Sequence, residues 1–428
     1  MTVLTRTLRG ISFVVVCCLV ASGCKRTSET SSANPDLVWA IGANDAAAGG
    51  LAEKIARRWN SQNRGSTVRV HALPPGADDQ RQVMATALNA ELPNFDILTL
   101  DVTQTGEFAE NGWLADLEGQ RSRVENLSLP APLQSATWSG RLWAIPFISE
   151  AGFLYYRKDL VGDRAPTTWA ELQKVGLDVG RRMGIAPFVG QGAQYEGLVV
   201  NYLELLAGAG GDLFSREGTE VEYGDGPALR ALTFMQDARR EGLYAEDFDT
   251  MRETEARHRF EDLQAVFMRN WPDAYAQLEE STSKVKGKFG IAPLPTFDGN
   301  GTSAIIGGSN LGVSPFSQNP RAATEFVLFA STDFDVQRLL AEDYSRGPAL
   351  ASVYTARDLA TNPVMKMLGQ VLVDARARPP TPEWSAISDE IQQRIFPAYT
   401  GTGDPEPAAE AAVREIREFL ELTASTKK

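Results

Sequence analysis

Two short loops carry the first residues able to do chemistry. Asn44 and Asp45 follow the apolar run Leu37 to Ile41, and Asp101 closes the run Phe95 to Asp101, with Val102 and Thr103 behind it. A planar amide or carboxylate at a strand end offers bidentate hydrogen bonds to a ligand, and ligands of open α/β sheets sit beyond such ends. Capping of a following helix accounts for the same residue types, so both readings stand for Asp45 and Asp101. Trp271 follows the run Ala265 to Met268 and precedes the turn at Pro272-Asp273, where an aromatic face could be displayed or packed into a core. In Gly307-Gly308-Ser309-Asn310 the missing side chains would let backbone amides approach a ligand closely.

What the chain lacks is equally informative. With two histidines, His71 and His258, and three cysteines, it has no raw material for most zinc sites, Cys-His nucleophiles or a disulfide framework. Neither a Walker phosphate loop nor a Gly-x-Gly-x-x-Gly after a strand is present, so no cofactor is expected and ATP hydrolysis would have to belong to other subunits. Lys+Arg number 42 against 55 Asp+Glu, a formal charge of −13 that opposes a phosphate backbone as partner. Nucleic acid is excluded as a first reading.

The elements that would position these residues alternate. The run Leu37 to Ile41 reads as a buried strand, and Leu51, Ile55 and Trp59 then recur at i, i+4 and i+8 with Glu53, Lys54, Arg57 and Arg58 opposite, the pattern of an amphipathic helix. Thr67 to Ala72 alternates as a strand, Asp78 or Asp79 could cap a helix carrying Val83, Met84, Ala87 and Leu88, and Phe95 to Asp101 is the next strand. Further on, a hairpin and strand are expected at 138–147 and strands at 153–156, 265–268 and 303–306. Helices are expected at 169–177, 198–207, 228–241 and 255–263, with Asn319-Pro320 and Asp404-Pro405 opening two more. Strands alternating with helices imply an α/β fold, and 428 residues leave room for two or three domains.

The amino terminus reads as an address. Arg6 and Arg9 precede the apolar run Ile11 to Ala21, shorter than the ~20 residues a spanning helix needs. It ends in Ala21-Ser22-Gly23-Cys24, which resembles a bacterial lipobox with Ala in place of the usual Leu. Residues 1–23 are then a lipoprotein signal peptide, Cys24 the lipidated first residue, and 24–36 a polar, flexible tether.

Several segments together resemble the sugar-binding lipoproteins of ABC importers, the family 1 solute-binding proteins, and within them the trehalose- and maltose-binding group. They are LTLDVTQTGEFAENGWLADL (98–117), WSGRLWAIP (138–146), GFLYYRKDL (152–160), PTTW (166–169), EGLVVNYLELLAGAGG (196–211), FEDLQAVFMRNWPDAY (260–275), IGGSNLGV (306–313) and RPPTPEW (378–384). The resemblance implies a two-lobed periplasmic-binding-protein fold of type II with discontinuous lobes and a central cleft. Lobe one would be 37–146 plus 300–347 and lobe two 150–296 plus 350–425, with hinges near 146–150, 293–300 and 346–350. A monomer would close on a disaccharide or small oligosaccharide and present it to ABC permease subunits served by separate ATPase subunits. It would act outside the cytoplasm, held to the membrane through Cys24.

Carried over by motif, the ligand-binding residues would be Asn44, Asp45, Asp101, Glu150, Trp271, Asp273, Gly308, Ser309, Asn310 and Arg378, with Tyr195 and Glu196 as weaker candidates. Relatives often carry Asp where Glu150 stands, so its reach and the specificity would differ, and an aromatic residue near Asp273, where a hydrogen-bonding group would replace a second stacking surface. Some maltose and trehalose binders have Trp at Ser309, and its absence implies a small site with fewer subsites. Trp113, Trp138, Trp143 and Trp169 are assigned to packing. Two other functions would draw on the same residues. An extracytoplasmic glycoside hydrolase acting on α-glucosides would want paired carboxylates such as Asp101 and Glu150, but no hydrolase motif appears. A scaffold lipoprotein that had lost its ligand would not be expected to keep Asp101, Trp271 and Arg378 together.

Overall fold

The computed structural model describes residues 36–62, 65–215, 220–379, 381–401 and 404–425. The expected signal peptide, the tether up to Pro35 and Cys24 lie outside the described residues. Among those residues the strands are β1 (Asp36–Gly42), β2 (Thr67–Leu73), β3 (Ile97–Asp101), β4 (Thr137–Trp138), β5 (Arg141–Leu142), β6 (Ala144–Ala151), β7 (Phe153–Arg157), β8 (Ala186–Val189), β9 (Ala265–Asn270), β10 (Phe289–Ala292) and β11 (Ile306–Val313). They form a five-stranded sheet in the order β2-β1-β3-β11-β6, a four-stranded sheet in the order β10-β7-β9-β8, and the small β4-β5 hairpin.

The mixed α/β fold is two-lobed, each large sheet carrying its own apolar core. In the first lobe β1 is buried from Leu37 to Ile41 because helices cover both its faces. The helix Leu51–Ser61 buries Leu51, Ile55 and Trp59, the stripe its periodicity requires. Trp59 meets Phe326 and Phe329 with ring centroids 5.4 Å apart, and Trp39 donates its indole N–H to Thr99 at 2.9 Å, so the buried polar atom is satisfied. In the second lobe the helix Glu196–Gly208 is buried almost throughout, packed against the helices Asp225–Arg240 and Trp384–Thr400. No described helix is long and apolar enough to cross a membrane.

Two local expectations, the strand at 303–306 and the cap at Asp78 or Asp79, come out differently. The strand expected at 303–306 runs instead from Ile306 to Val313 as β11, antiparallel to both β3 and β6. Its glycines argue against a strand locally, but pairing along both edges holds it there. The segment 146–150 lies inside β6, paired with β11, and the chain passes from the first sheet to the second at Gly152. The helix Ala77–Asn89 has Gly76 at its cap position with no side-chain cap bond, and Asp78 instead accepts the backbone N–H of Glu196 at 3.1 Å.

Candidate functional site

The strand directions bring one edge of each sheet to a common cleft. β1 and β3 are parallel and end at Gly42 and Asp101, while β11 runs antiparallel to β3 and to β6, so the start of β11 and the end of β6 reach the same edge. Register fixes the neighbours: Ser309 pairs with Asp101, and Gly307 pairs with Glu150. From the second lobe, β9 ends at Asn270 and delivers Trp271 into the same space. This cleft encloses about 1090 Å³ counting its mouth. Asn44, Asp45, Asp101, Glu150, Tyr195, Glu196, Trp271, Asp273, Gly308, Ser309 and Arg378 all line it, residues drawn from segments more than 330 positions apart in the chain.

Asn310 is the exception. It follows a bulge between Ser309 and Asn310, lies fully buried, and donates to Thr105 at 3.2 Å and Ser135 at 3.1 Å, away from the cleft. The register shift at the bulge and these two partners turn its side chain into the first lobe, so Asn310 does not stand in its expected place beside the ligand.

Two guanidinium groups organise the charge. Arg378 is buried; it stands 3.1 Å from Asp101 of the first lobe, donates to Glu196 of the second, and reaches the Ile306 carbonyl at 3.5 Å. Glu196 is further held by the indole N–H of Trp384 at 3.1 Å and the hydroxyl of Ser388, so its carboxylate anchors Arg378 more than it faces the cleft. Burial pushes the Glu196 carboxyl up to about 7 against the lowering effect of Arg378. Asp101 also accepts from the Thr103 backbone N–H at 3.0 Å and hydroxyl at 2.8 Å, so capping of its own loop and pairing with Arg378 coexist.

The second guanidinium, Arg346, was not singled out by sequence reasoning. It donates to Asp45 at 3.0 Å and to Glu150 at 3.0 Å and stands 3.6 Å from Asp273. Burial works against its charge, but the three carboxylates hold it well above its ordinary range. Burial likewise raises Glu150 to about 7 although Arg346 and the Gly347 N–H favour its charged form. The local signal in Ser345-Arg346-Gly347-Pro348 is that of a loop, and nothing in it distinguishes a buried guanidinium from a solvated one. Gln80, Thr99 and Glu253 also line the cleft, and Gln80 and Glu253 lie outside every segment of family resemblance.

Trp271 is half-buried, its backbone carbonyl accepting from the Tyr155 hydroxyl at 2.7 Å. A Cβ on Gly307 would lie 2.7 Å from the Trp271 ring, so this glycine makes room for the indole. Tyr195 is buried beneath Arg252, whose guanidinium carbon lies 4.7 Å from the ring centroid. Two carboxylate-bound cations and a tryptophan around a cleft can hold a polyhydroxylated ligand by bidentate hydrogen bonds and ring contact. Among the described residues no cluster of His, Cys, Asp and Glu could hold a metal ion.

The chain is similar to a known family and to several known proteins. Residues 42–333 match the family described as bacterial extracellular solute-binding protein. A probable ABC transporter-binding protein of Deinococcus radiodurans is 31% identical over 370 residues, 83% of this chain and 87% of that protein. The maltodextrin-binding protein MdxE of Bacillus subtilis is 24% identical over 341 residues, 76% of this chain and 77% of that protein. The solved structure of maltose-bound T. maritima MalE3 superposes with a TM-score of 0.84 at 32% identity, covering 91% of this chain and 99% of that one.

Proposed function

The chain belongs to the family of bacterial extracellular solute-binding proteins, and on that premise we propose that it captures a disaccharide, trehalose or a maltose-type α-glucoside, by closing its lobes. It is a solute-binding protein and not an enzyme, as its family and its relatives among ABC transporter-binding proteins are. The observation that carries the sugar reading is the cleft itself: Asp45 and Asp101 from one lobe face Trp271 and Asp273 from the other, with Glu150 at the crossing between them and Arg346 and Arg378 bonded across the gap. A ligand contacting both sides favours the closed state differentially, which is what closure requires. Maltose in MalE3 and maltodextrin in the name of MdxE support the same ligand class here.

In this reading lobe one comprises 37–146 and 300–347, lobe two 150–296 and 350–425, and the crossings near 146–150, 293–300 and 346–350 absorb the bend. The monomer hands its cargo to ABC permease subunits, and acylation of Cys24 tethers it outside the cytoplasm. Calorimetric titration with trehalose, maltose, sucrose, glucose and maltotriose names the cargo: one-to-one binding of one intact disaccharide is expected, and silence across the panel would reject the ligand class. Labelling with radioactive palmitate tests the tether, with label expected on the native chain and none on Cys24→Ser.

A further inference from the structure

Beneath Trp271 lies an ion pair that does not itself line the cleft. Arg269 and Glu204 have side chains only 2% and 3% exposed, with Arg269 Nε donating to Glu204 at 2.9 Å and Nη1 to Gln191 at 2.9 Å. The guanidinium carbon lies 4.1 Å from the centroid of the Trp271 ring. A planar cation against one indole face fixes the ring's tilt by both charge and shape. Gly307 of the first lobe's sheet lies at the benzo edge of the same ring, where a Cβ would fall 2.7 Å from two of its carbons.

The pair also meets the chain where it changes sheets. A Cβ on Gly152 would lie 2.5 Å from Glu204 Oε1 and 2.6 Å from Arg269 Nη2. Gly152 is the single residue between β6 and β7, and the next residues, Phe153 and Leu154, pair with Asn270 and Arg269. Only a residue without a side chain lets this crossing run over the ion pair. Glu204 comes from the helix Glu196–Gly208, whose first residue holds Arg378. One buried helix thus carries two carboxylates, Glu196 fixing a guanidinium that lines the cleft and Glu204 fixing one packed against the Trp271 ring.

We propose that Arg269, held by Glu204, is the positioning residue for Trp271, and that its contact with the Gly152 crossing ties the indole's orientation to the junction between the lobes. The inference rests on reading Trp271 as the sugar platform.

The test uses the full chain in detergent, labelled with 5-fluorotryptophan and followed by fluorine NMR. The Trp271 resonance among the eight tryptophans is identified by its loss in Trp271→Phe. Arg269→Lys keeps the charge and removes the planar stack, while Gly152→Ala keeps both partners and places a methyl group against them. Each is expected to shift the Trp271 resonance, leave Trp39 and Trp59 in place, and weaken sugar binding about tenfold. In the Trp271→Ala background neither substitution should weaken binding further. A Trp271 resonance unmoved by both variants, or an equal loss of affinity in the Trp271→Ala background, would overturn the proposal. If no sugar binds the native chain, the platform reading fails by itself and the fluorine shift still decides whether Arg269 orients Trp271.

Discussion

Arg378 stands 3.1 Å from Asp101, so a buried guanidinium of the second lobe is joined to a strand-end carboxylate of the first. The same guanidinium is anchored by Glu196, itself fixed by Trp384 and Ser388. Removing the cation leaves a buried carboxylate without its counter-charge, and breaking a buried pair in this way costs about 3–5 kcal/mol. Arg378→Met is therefore expected to lower unfolding stability by about that amount in urea titration, whereas Glu196 and Arg378 replaced together should cost less.

Arg346 serves three carboxylates at once, Asp45, Glu150 and Asp273. Its replacement by Gln keeps hydrogen-bonding capacity but leaves the three acids to repel one another. Arg346→Gln is expected to weaken sugar binding about tenfold or more and to make stability fall more steeply with rising pH. Titration calorimetry and denaturation at several pH values check both effects.

Acid titration of the site has a definite sign. Burial raises Glu150 from 4.5 to about 7, opposed by Arg346 and the Gly347 N–H and reinforced by Asp273 and Asp45. Between those values the folded state binds more protons than the unfolded chain, so stability falls as pH rises through the window. The contribution is complete below about 4.5 and lost above about 7. Glu196, raised to about 7 with Arg378, Asp101 and Asp78 facing it, acts in the same direction. Urea midpoints measured from about pH 5 to about pH 8 should decline in the native chain and decline less in Glu150→Gln; parallel curves would contradict the assignment.

Gly307→Ala places a methyl carbon against the indole of Trp271. The two belong to different lobes, so the collision is expected to hinder closure while each apolar core stays intact. Sugar affinity should fall about tenfold with little change in unfolding midpoint, as read by calorimetry and thermal denaturation side by side.

The first sheet was legible because its signals are local. The apolar run of β1, the i, i+4, i+8 stripe of Leu51, Ile55 and Trp59, and the alternation of β2 each follow from one element's own burial. β11 was misplaced because its Gly-Gly-Ser-Asn stretch is held by two neighbours far away in the chain, β3 and β6. The expected residues that line the cleft came from strand ends and from family motifs, both of which mark position. Arg346 carried no such mark, and for Glu204 and Arg269 the family segments marked a place in the chain but not their pairing. A buried guanidinium is defined by which carboxylates the fold brings to it, and Asp45 and Arg346 are 301 positions apart.

The most direct test is the affinity of the native chain, Asp101→Ala and Trp271→Ala for the disaccharide that the native chain binds, measured by calorimetry together with the unfolding midpoint of each. Both variants are expected to bind about ten- to a hundredfold more weakly, at the scale of a lost charged hydrogen bond or a lost aromatic surface, while still unfolding cooperatively. Unchanged affinity in both variants would contradict the assignment of this cleft as the sugar site.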